Sequence, residues 1–351
     1  MHIPKRWMLL PQDPSATDRL ARSLRIAPTL AQLLINRGVT NVEDAKVFLH
    51  ASLSGLHEPT ALPGIAEAAE LIYAAARDRK RICIYGDYDV DGITASTILW
   101  RCLTLAGADV DYYVPDRLEE GYGLNSDALR KLKEQNFQQV ITVDCGITSL
   151  EPALVAKELG LELIVTDHHE MKNELPEASV LVHPRLPGTG YPFPHLCGAG
   201  VAFKLAWAIA QKFSQAQKVS ESFKNFLMES IALVALGTVA DVVPLIGENR
   251  IFVRQGLRHL QATPTIGLKA LLQAAELGDK VLDAGHIGFS LAPRLNAAGR
   301  LGQARLAIEL LATSNHTRAV DLARYLNEQN EKRQTVERRI ASQAKEMVEA
   351  M

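Results

Sequence analysis

The sequence predicts an α/β fold: a mainly parallel sheet with helices on both faces, preceded by a helical segment and followed by a long helix. Two observations lead there. From about residue 79 to residue 184, short apolar or β-branched runs alternate with helical stretches of about ten to fifteen residues, the rhythm of βαβ units. On either side of that region, apolar residues recur at helical rather than alternate spacing.

Residues 15–78 read as helical, with "TLAQLLINRG" and "AEAAELIYAAARD" separated by the breaker-rich "HEPTALPG". "RICIY" is a first strand and "TASTILWRCLTLAG" a helix; "ADVDYYVPD" is a second strand and "SDALRKLKEQ" a helix. "QVITVD", helical "LEPALVAKELG", "LELIVTD" and "SVLVHP" continue the alternation. Beyond about residue 195 the chain turns helical. "GAGVAFKLAWAIAQKF" opens on a Gly-rich turn, and "SFKNFLMESIALVALGTVADVVPL" is a buried helix ending near Asp241. From Thr313 to Met351 runs a long, increasingly polar helix of the kind that bridges domains. No Gly or Pro marks its exit, which gives the expectation of a chain cut from a longer one. Four regions follow: a helical segment over 1–78, an α/β domain over 79–250, a helical part of the core over 251–312, and a connecting helix over 313–351.

Of the 351 residues, 47% are hydrophobic and 22% charged, the balance of a soluble globular protein. No uninterrupted apolar run reaches the length of a membrane span, and "MHIPKRWMLLPQDPSATDRL" lacks the apolar core and cleavage site of a secretory signal. A cytoplasmic protein without a membrane partner is expected. Cys83, Cys102, Cys145 and Cys197 are widely spaced and read as reduced, buried thiols. A net charge of −2 advertises no global basic field, yet residues 294–345 carry ten Lys or Arg against five Asp or Glu. Such a local basic surface suits a polyanion held near cations. After residue 318 it reads equally well as a solvated helix face.

The chemistry concentrates at strand ends. "GDYDVDGITAS" (86–96) starts like a calcium loop, but its twelfth position from Asp87 is Ile98, where a bidentate Glu is needed, and a strand precedes it. A dinucleotide site is excluded too, because no G-x-G-x-x-G follows the first strand. Read as an extended segment, the motif puts Asp87, Asp89 and Asp91 on one face. Like charges this close raise one another's pKa unless a cation neutralises them, and hard divalent ions do so through oxygen ligands. A solvated acidic turn is the plainer reading of this stretch alone. However, Asp144 ends the next apolar strand, and Asp167, His168 and His169 end the one after. Ligands of an open parallel sheet bind outside its carboxyl ends, so three strands deliver acids and imidazoles to one edge, which Asp241 can also approach. Cys145 beside Asp144 reads as a small core residue, and His183 lies near the site without being a ligand. "PDRLEEGYGLN" offers Arg117 as a phosphate fork and Tyr122 as a stacking ring. In "PRLNAAGRLG", Arg294, Asn296 and Arg300 stand among small residues that admit a phosphate. Either segment also reads as a salt-bridged loop.

In this order and spacing, "GDYDVDG", "VDCG" and "TDHHE" closely resemble the DHH phosphoesterase superfamily. "GTVADVVPL" and "PRLNAAGRLG" resemble its RecJ branch, the single-strand-specific 5′→3′ DNA exonucleases, and the resemblance covers roughly residues 25–345. It implies two Mn²⁺ or Mg²⁺ ions. Asp87 and Asp89 would hold one, Asp91, His168 and Asp241 the other, and Asp144 both, with the division among the first three aspartates open. Carboxylates with a single imidazole suit Mn²⁺, whereas thiolate-rich sites suit zinc. His169 would face the scissile phosphate as donor or acid, against a structural reading of that imidazole, and Asp167 would orient an imidazole. The implied function is hydrolysis of single-stranded DNA from its 5′ end to mononucleotides, in DNA repair and recombination. A single-strand-binding protein and a helicase are the expected partners. Two alternatives stand beside it: a hydrolase of small phosphates (oligoribonucleotides, cyclic dinucleotides or pyrophosphate), and a non-catalytic nucleic-acid-binding scaffold. The intact acid set speaks against the scaffold, while "PRLNAAGR" and the helical extension favour the nuclease. RecJ proteins usually continue into a second domain and an oligonucleotide-binding barrel that clamp the strand, so processivity and end preference are expected to depend on those parts.

Overall fold

Three almost continuously apolar runs become the inner strands because both of their faces are covered. They are β1 (Ile82–Gly86), β3 (Gln139–Val143) and β4 (Glu162–Thr166), flanked by the edge strands β2 (Val110–Tyr113) and β5 (Val180–Val182). The computed structural model describes residues 6, 8–116, 120–216, 218–299 and 303–349. All strand pairs are parallel, in the order β2-β1-β3-β4-β5. The chain therefore leaves β1 toward one side and resumes at β3 on the other, and such a switch point is where open α/β sheets place their ligands. Register sharpens this. Gly86 lies opposite Val143, and Val143 opposite Thr166. The residues that follow, Asp87, Asp144 and Asp167, thus leave the sheet level with one another.

The helices in chain order are α1 (Pro14–Leu24), α2 (Pro28–Ile35), α3 (Val42–His50), α4 (Ile65–Arg77), α5 (Val90–Leu105), α6 (Ser126–Glu134) and α7 (Leu150–Glu158). After the sheet come α8 (Gly198–Ser214), α9 (Glu221–Ala240), α10 (Gly247–Gln261) and α11 (Ile266–Ala274). A one-turn α12 (Ala284–His286), a π-helical turn (Ile287–Leu291), α13 (Ala292–Gly299), α14 (Ala304–Ala312) and α15 (His316–Glu349) complete the order. Alternation along the strands sends Cys83, Tyr85, Val140, Leu163 and Val165 to one face, where Ala128, Leu129, Leu132, Ala153 and Ala156 of α6 and α7 cover them. On the other face α5 and α8 pack against β1, β3 and β4, and α9 lies on α5, α8 and α10. By length and composition α9 could cross a membrane, but about two thirds of its most apolar stretch is buried in this packing, the mark of a core helix. All four cysteines are free and buried.

Two compact units divide between Leu56 and His57. The first holds α1–α3 around Leu20, Ala21, Ala31, Leu34 and Ala45. Within the second, α4 packs on α8 and β5, so the helical segment expected over 1–78 is shared between the two units.

One contact fastens the late helices to the first strand's exit. The Asn296 side-chain oxygen of α13 accepts the Val90 N–H at 3.1 Å, and a Cβ on Gly299 would overlap the Tyr88 carbonyl oxygen. Gly299→Ala is expected to destabilise the fold by about 1–3 kcal/mol, the usual cost of overpacking against backbone that cannot move. Urea unfolding of the variant measures this; an unchanged midpoint would show that α13 is not seated on the turn.

Candidate metal centre

Each acid arrives by a different local device. Asp87 is the first residue past β1 and is buried; its Oδ1 accepts the Tyr88 N–H at 2.7 Å. The extended reading of this motif does not hold beyond that point. The chain turns helical at Val90, and Asp89 is the N-cap of α5, its Oδ1 accepting from the Asp91 and Gly92 N–H groups at 2.9 and 3.1 Å. Asp caps a helix because its oxygen satisfies amides that have no partner within the helix. Asp91 therefore lies in the first helical turn, and the three carboxylates meet through a strand end, a cap and a turn rather than along one strand face. Asp91 is buried, and both its oxygens accept from the N-terminus of α8: Gly198 N–H at 2.6 Å and Ala199 N–H at 2.8 Å. Oriented amides at a helix start favour an anion.

Asp144, just past β3, holds a left-handed backbone (φ 63°), an uncommon state for a residue with a Cβ. A Cβ on Gly198 would come within 2.7 Å of its carboxylate, so only glycine lets α8 start here. His168 brings Nε2 to 3.0 Å from Asp144 Oδ1, 3.6 Å from Asp91 Oδ2 and 3.7 Å from Asp241 Oδ2. Asp241 is the C-cap of α9. Asp167 is buried beneath both imidazoles. Its Oδ1 accepts the His168 and His169 N–H groups and His169 Nδ1 (2.8 Å), while Oδ2 accepts the Ile147 N–H. His183 Nδ1 accepts the Arg185 N–H, so its proton is on Nε2, which donates to the His169 carbonyl at 2.9 Å. Arg185 Nη2 donates to the His168 carbonyl at 2.6 Å.

Among the described residues, three sets have donor atoms within 4.8 Å of one another: Asp87, Asp89 and Asp144; Asp91, His168 and Asp241; and Asp144, His168 and His169. Electrostatics say what the first two sets need. Burial, then the neighbouring Asp89, pushes Asp87 up to about 7. Burial pushes Asp91 up to about 6 against the pull of His168, with Asp241 adding to the rise. Asp241 also rises to about 6, through burial and Asp89, and Asp144 lies well above its usual value through burial and the surrounding aspartates. His168 is held low by burial and stays a neutral donor of a lone pair. Carboxylates forced this high lack a positive partner, and one neutral imidazole among them completes a donor set suited to hard divalent cations. His169 behaves oppositely. The Asp167 hydrogen bond raises it, outweighing burial. Burial works against the Asp167 carboxylate, but His169 and the Ile147 amide together leave it below its usual value.

Residues 81–238 match the DHH family, N-terminal domain. A crystal structure of exonuclease RecJ bound to manganese is 40% identical, with a TM-score of 0.72 over 80% of this chain and 69% of that one. The chain belongs to the RecJ family. A RecJ single-stranded-DNA-specific exonuclease of Bacillus subtilis is 41% identical over 98% of this chain and 42% of its own length. The Mn²⁺ complex of RecJ from Thermus thermophilus gives a TM-score of 0.80 at 34% identity, over 95% of this chain and 46% of that one. The chain spans about half the length of the curated RecJ relatives it matches.

The remaining residues singled out in the sequence of this RecJ-family chain fare differently. Tyr122 stands beside the centre, its hydroxyl 3.3 Å from His169 Nδ1 and its ring edge-on to the imidazole. Arg117 and Arg300 lie outside the described residues. Arg294 and Asn296, expected at a bound strand, have partners within the fold. Arg294 Nε donates to Asn327 and Nη1 to the Ser290 carbonyl, because α13 packs between the π turn and α15, and Asn296 holds Val90. Sequence reasoning missed Gly198, Ala199 and Arg185. "GAGVAF" signalled a tight turn, but not that its amides end on Asp91.

The raised carboxylates fix a pH dependence. A carboxyl whose folded pKa exceeds its unfolded value contributes stability below the unfolded value and loses it as pH rises through the folded one. For Asp87, Asp91 and Asp241 that window runs from the ordinary carboxylate value up to about 6 or 7. Melting in EDTA is expected to fall from pH 5 to pH 8, less so in Asp87→Asn, and a divalent cation at pH 8 should restore it. Equal slopes for parent and variant would remove Asp87 from the account.

Proposed function

We propose that this chain hydrolyses single-stranded DNA from the 5′ end, releasing mononucleotides, with two divalent cations of the Mn²⁺ or Mg²⁺ kind. The observation that carries this reading is the pair of donor sets sharing an edge at the sheet's switch point, with Asp144 between them and a half-exposed, Asp-supported imidazole alongside. Asp87 and Asp89 would hold one ion and Asp91, His168 and Asp241 the other, with Asp144 available to both. Ions held there would supply Lewis acidity to a phosphate oxygen and lower the pKa of a water toward neutral pH.

The chain's own groups do the rest. Asp167 raises the His169 pKa and accepts its Nδ1–H, leaving Nε2 to donate to a phosphate or leaving oxygen. His183 and Arg185 hold the backbone of the two histidines through their carbonyls, so the imidazoles keep their spacing. Tyr122, about half exposed beside His169, offers a face to an unpaired base. Arg117 and Arg300 are assigned to phosphate contacts. The activity named for the Bacillus subtilis relative supports this substrate. The same reading gives a cytoplasmic role in DNA repair and recombination, with a single-strand-binding protein and a helicase supplying unpaired strand.

Nucleotide release from 5′-labelled DNA, single-stranded against duplex, with and without Mn²⁺, tests the proposal; cation-independent release, or equal cutting of duplex, would refute it. Asp144→Asn keeps a residue that tolerates the left-handed backbone, so the fold is expected to persist while hydrolysis is lost. Activity above a few per cent of the parent would sink the shared-ligand role. His168→Ala is expected to weaken Mn²⁺ binding in a calorimetric titration. His169→Ala should leave that binding nearly intact and lower turnover about 10²- to 10⁴-fold, the usual range for a lost acid–base group. Equal loss of affinity in the two variants contradicts this division.

A further inference from the structure

Asp241 leaves α9 onto an arm that apolar packing does not hold. Pro244, Leu245, Ile246 and Gly247 are all exposed, and Val242 keeps a left-handed backbone (φ 60°), an outlier for a β-branched residue. Strain of this kind persists only where the surroundings over-determine it. Here the buried amide of Asn249, in the first turn of α10, supplies the hold. Its Nδ2 donates to the Pro244 carbonyl at 3.1 Å and to the His195 carbonyl at 2.5 Å, which uses both of its protons. Pro244 lies three residues after Asp241, and His195 three residues before Gly198, whose amide binds Asp91. One side chain thus ties together the two stretches of backbone that deliver Asp241 and seat Asp91. Its Oδ1 is buried without a partner among the described residues, so the amide is held by its donors alone.

A buried pair of charges sets where that amide stands. Glu248, the neighbour of Asn249, meets Lys204 of α8 at 2.6 Å, and neither side chain is more than 1% exposed. Both also grip the backbone of His57: Glu248 Oε1 accepts its N–H at 2.9 Å, and Lys204 Nζ donates to its carbonyl at 2.5 Å. The Tyr191 hydroxyl donates to Glu248 Oε2. So deep an ion pair loses in hydration about what it gains in attraction, and a well-packed apolar pair would serve stability as well. What the charges add is direction, because their hydrogen bonds set the start of α10 against α8. Resting on the metal reading above, we infer that Asn249 is a positioning residue for the ion that Asp91, His168 and Asp241 would hold, with the Lys204–Glu248 pair as its support. Asp87 and Asp89 are held by the end of β1 and the cap of α5, not by this tie. The two ions therefore differ in their dependence on Asn249.

Calorimetric Mn²⁺ titration of variants with one site disabled tests this, with no DNA present and nothing cut. Asp87→Asn leaves the ion at Asp91, His168 and Asp241 to be read by itself, and Asp241→Asn leaves the one at Asp87 and Asp89. Added to Asp87→Asn, Asn249→Ala should weaken Mn²⁺ binding about 10- to 100-fold, the usual loss when a group supporting metal ligands is removed. Added to Asp241→Asn, it should leave binding nearly unchanged. Asn249→Ser is too short to span both carbonyls but removes less volume, and should give the same pattern should Asn249→Ala not fold. Asn330→Ala deletes a similarly buried asparagine of α15 and should leave both affinities alone. Undiminished binding in the Asp87→Asn background, an equal fall in both backgrounds, or the same fall with Asn330→Ala overturns the inference. If Asp87→Asn alone binds no Mn²⁺, the metal assignment itself is wrong and the inference falls with it.

Discussion

Buried carboxylates with too little positive charge among them are the constraint around which the second unit is organised. Asp87, Asp91 and Asp144 are almost wholly out of solvent, and Asp241 is largely so. Mutual repulsion in a poorly screened volume would drive them apart unless the surrounding structure held them. Several features serve that purpose. The level strand ends set Asp87 and Asp144 side by side. Amides at the start of α8 take both oxygens of Asp91, and glycine at 198 and 237 lets α8 and α9 close on carboxylates that any larger residue would strike. The protein stays folded around a charge deficit that a cation relieves.

Around this core lie concessions that an ideal scaffold would avoid. Asp144 and Val242 occupy left-handed backbone, and a π turn interrupts the helix that leads into α13. Each costs stability, and each lies at or beside the acidic edge, where natural folds concentrate such departures. Left-handed residues occur elsewhere too, and at Arg25, Ala51 and Gln215 they close helices as C-caps. Asp13, Asn41 and Asn125 cap their helices, the inner strands are apolar on both faces, and a helix apolar enough for a membrane is spent on the core.

Much of this was legible from the sequence because parallel sheets write themselves plainly. Runs such as "ICIY" and "QVITV" have no polar face, and each ends abruptly in an acid. That pattern alone places Asp87, Asp144 and Asp167 at one edge. What stayed hidden depends on contacts that no local pattern encodes. Asp89 looked like one of three equal carboxylates until the helix began a residue later and made it a cap. Asn296 and Arg294 look like strand contacts by composition, yet their partners, Val90 and Asn327, are fixed only by how α13 packs. The membership of α4 in the second unit likewise follows from its packing on α8 and β5 rather than from its helical pattern.

The hydrogen bond between Asn296 and Val90 joins residues 206 positions apart. On the ribosome, where synthesis proceeds from the N-terminus, the acidic turn therefore emerges long before the residue that fastens it. Contacts of such separation form late, because a long loop must close before they reward the chain. During that interval the nascent sheet can assemble while the turn after β1 lacks its latch. The turn after β1 cannot be latched in this way until Asn296 has been made, long after the acids it carries.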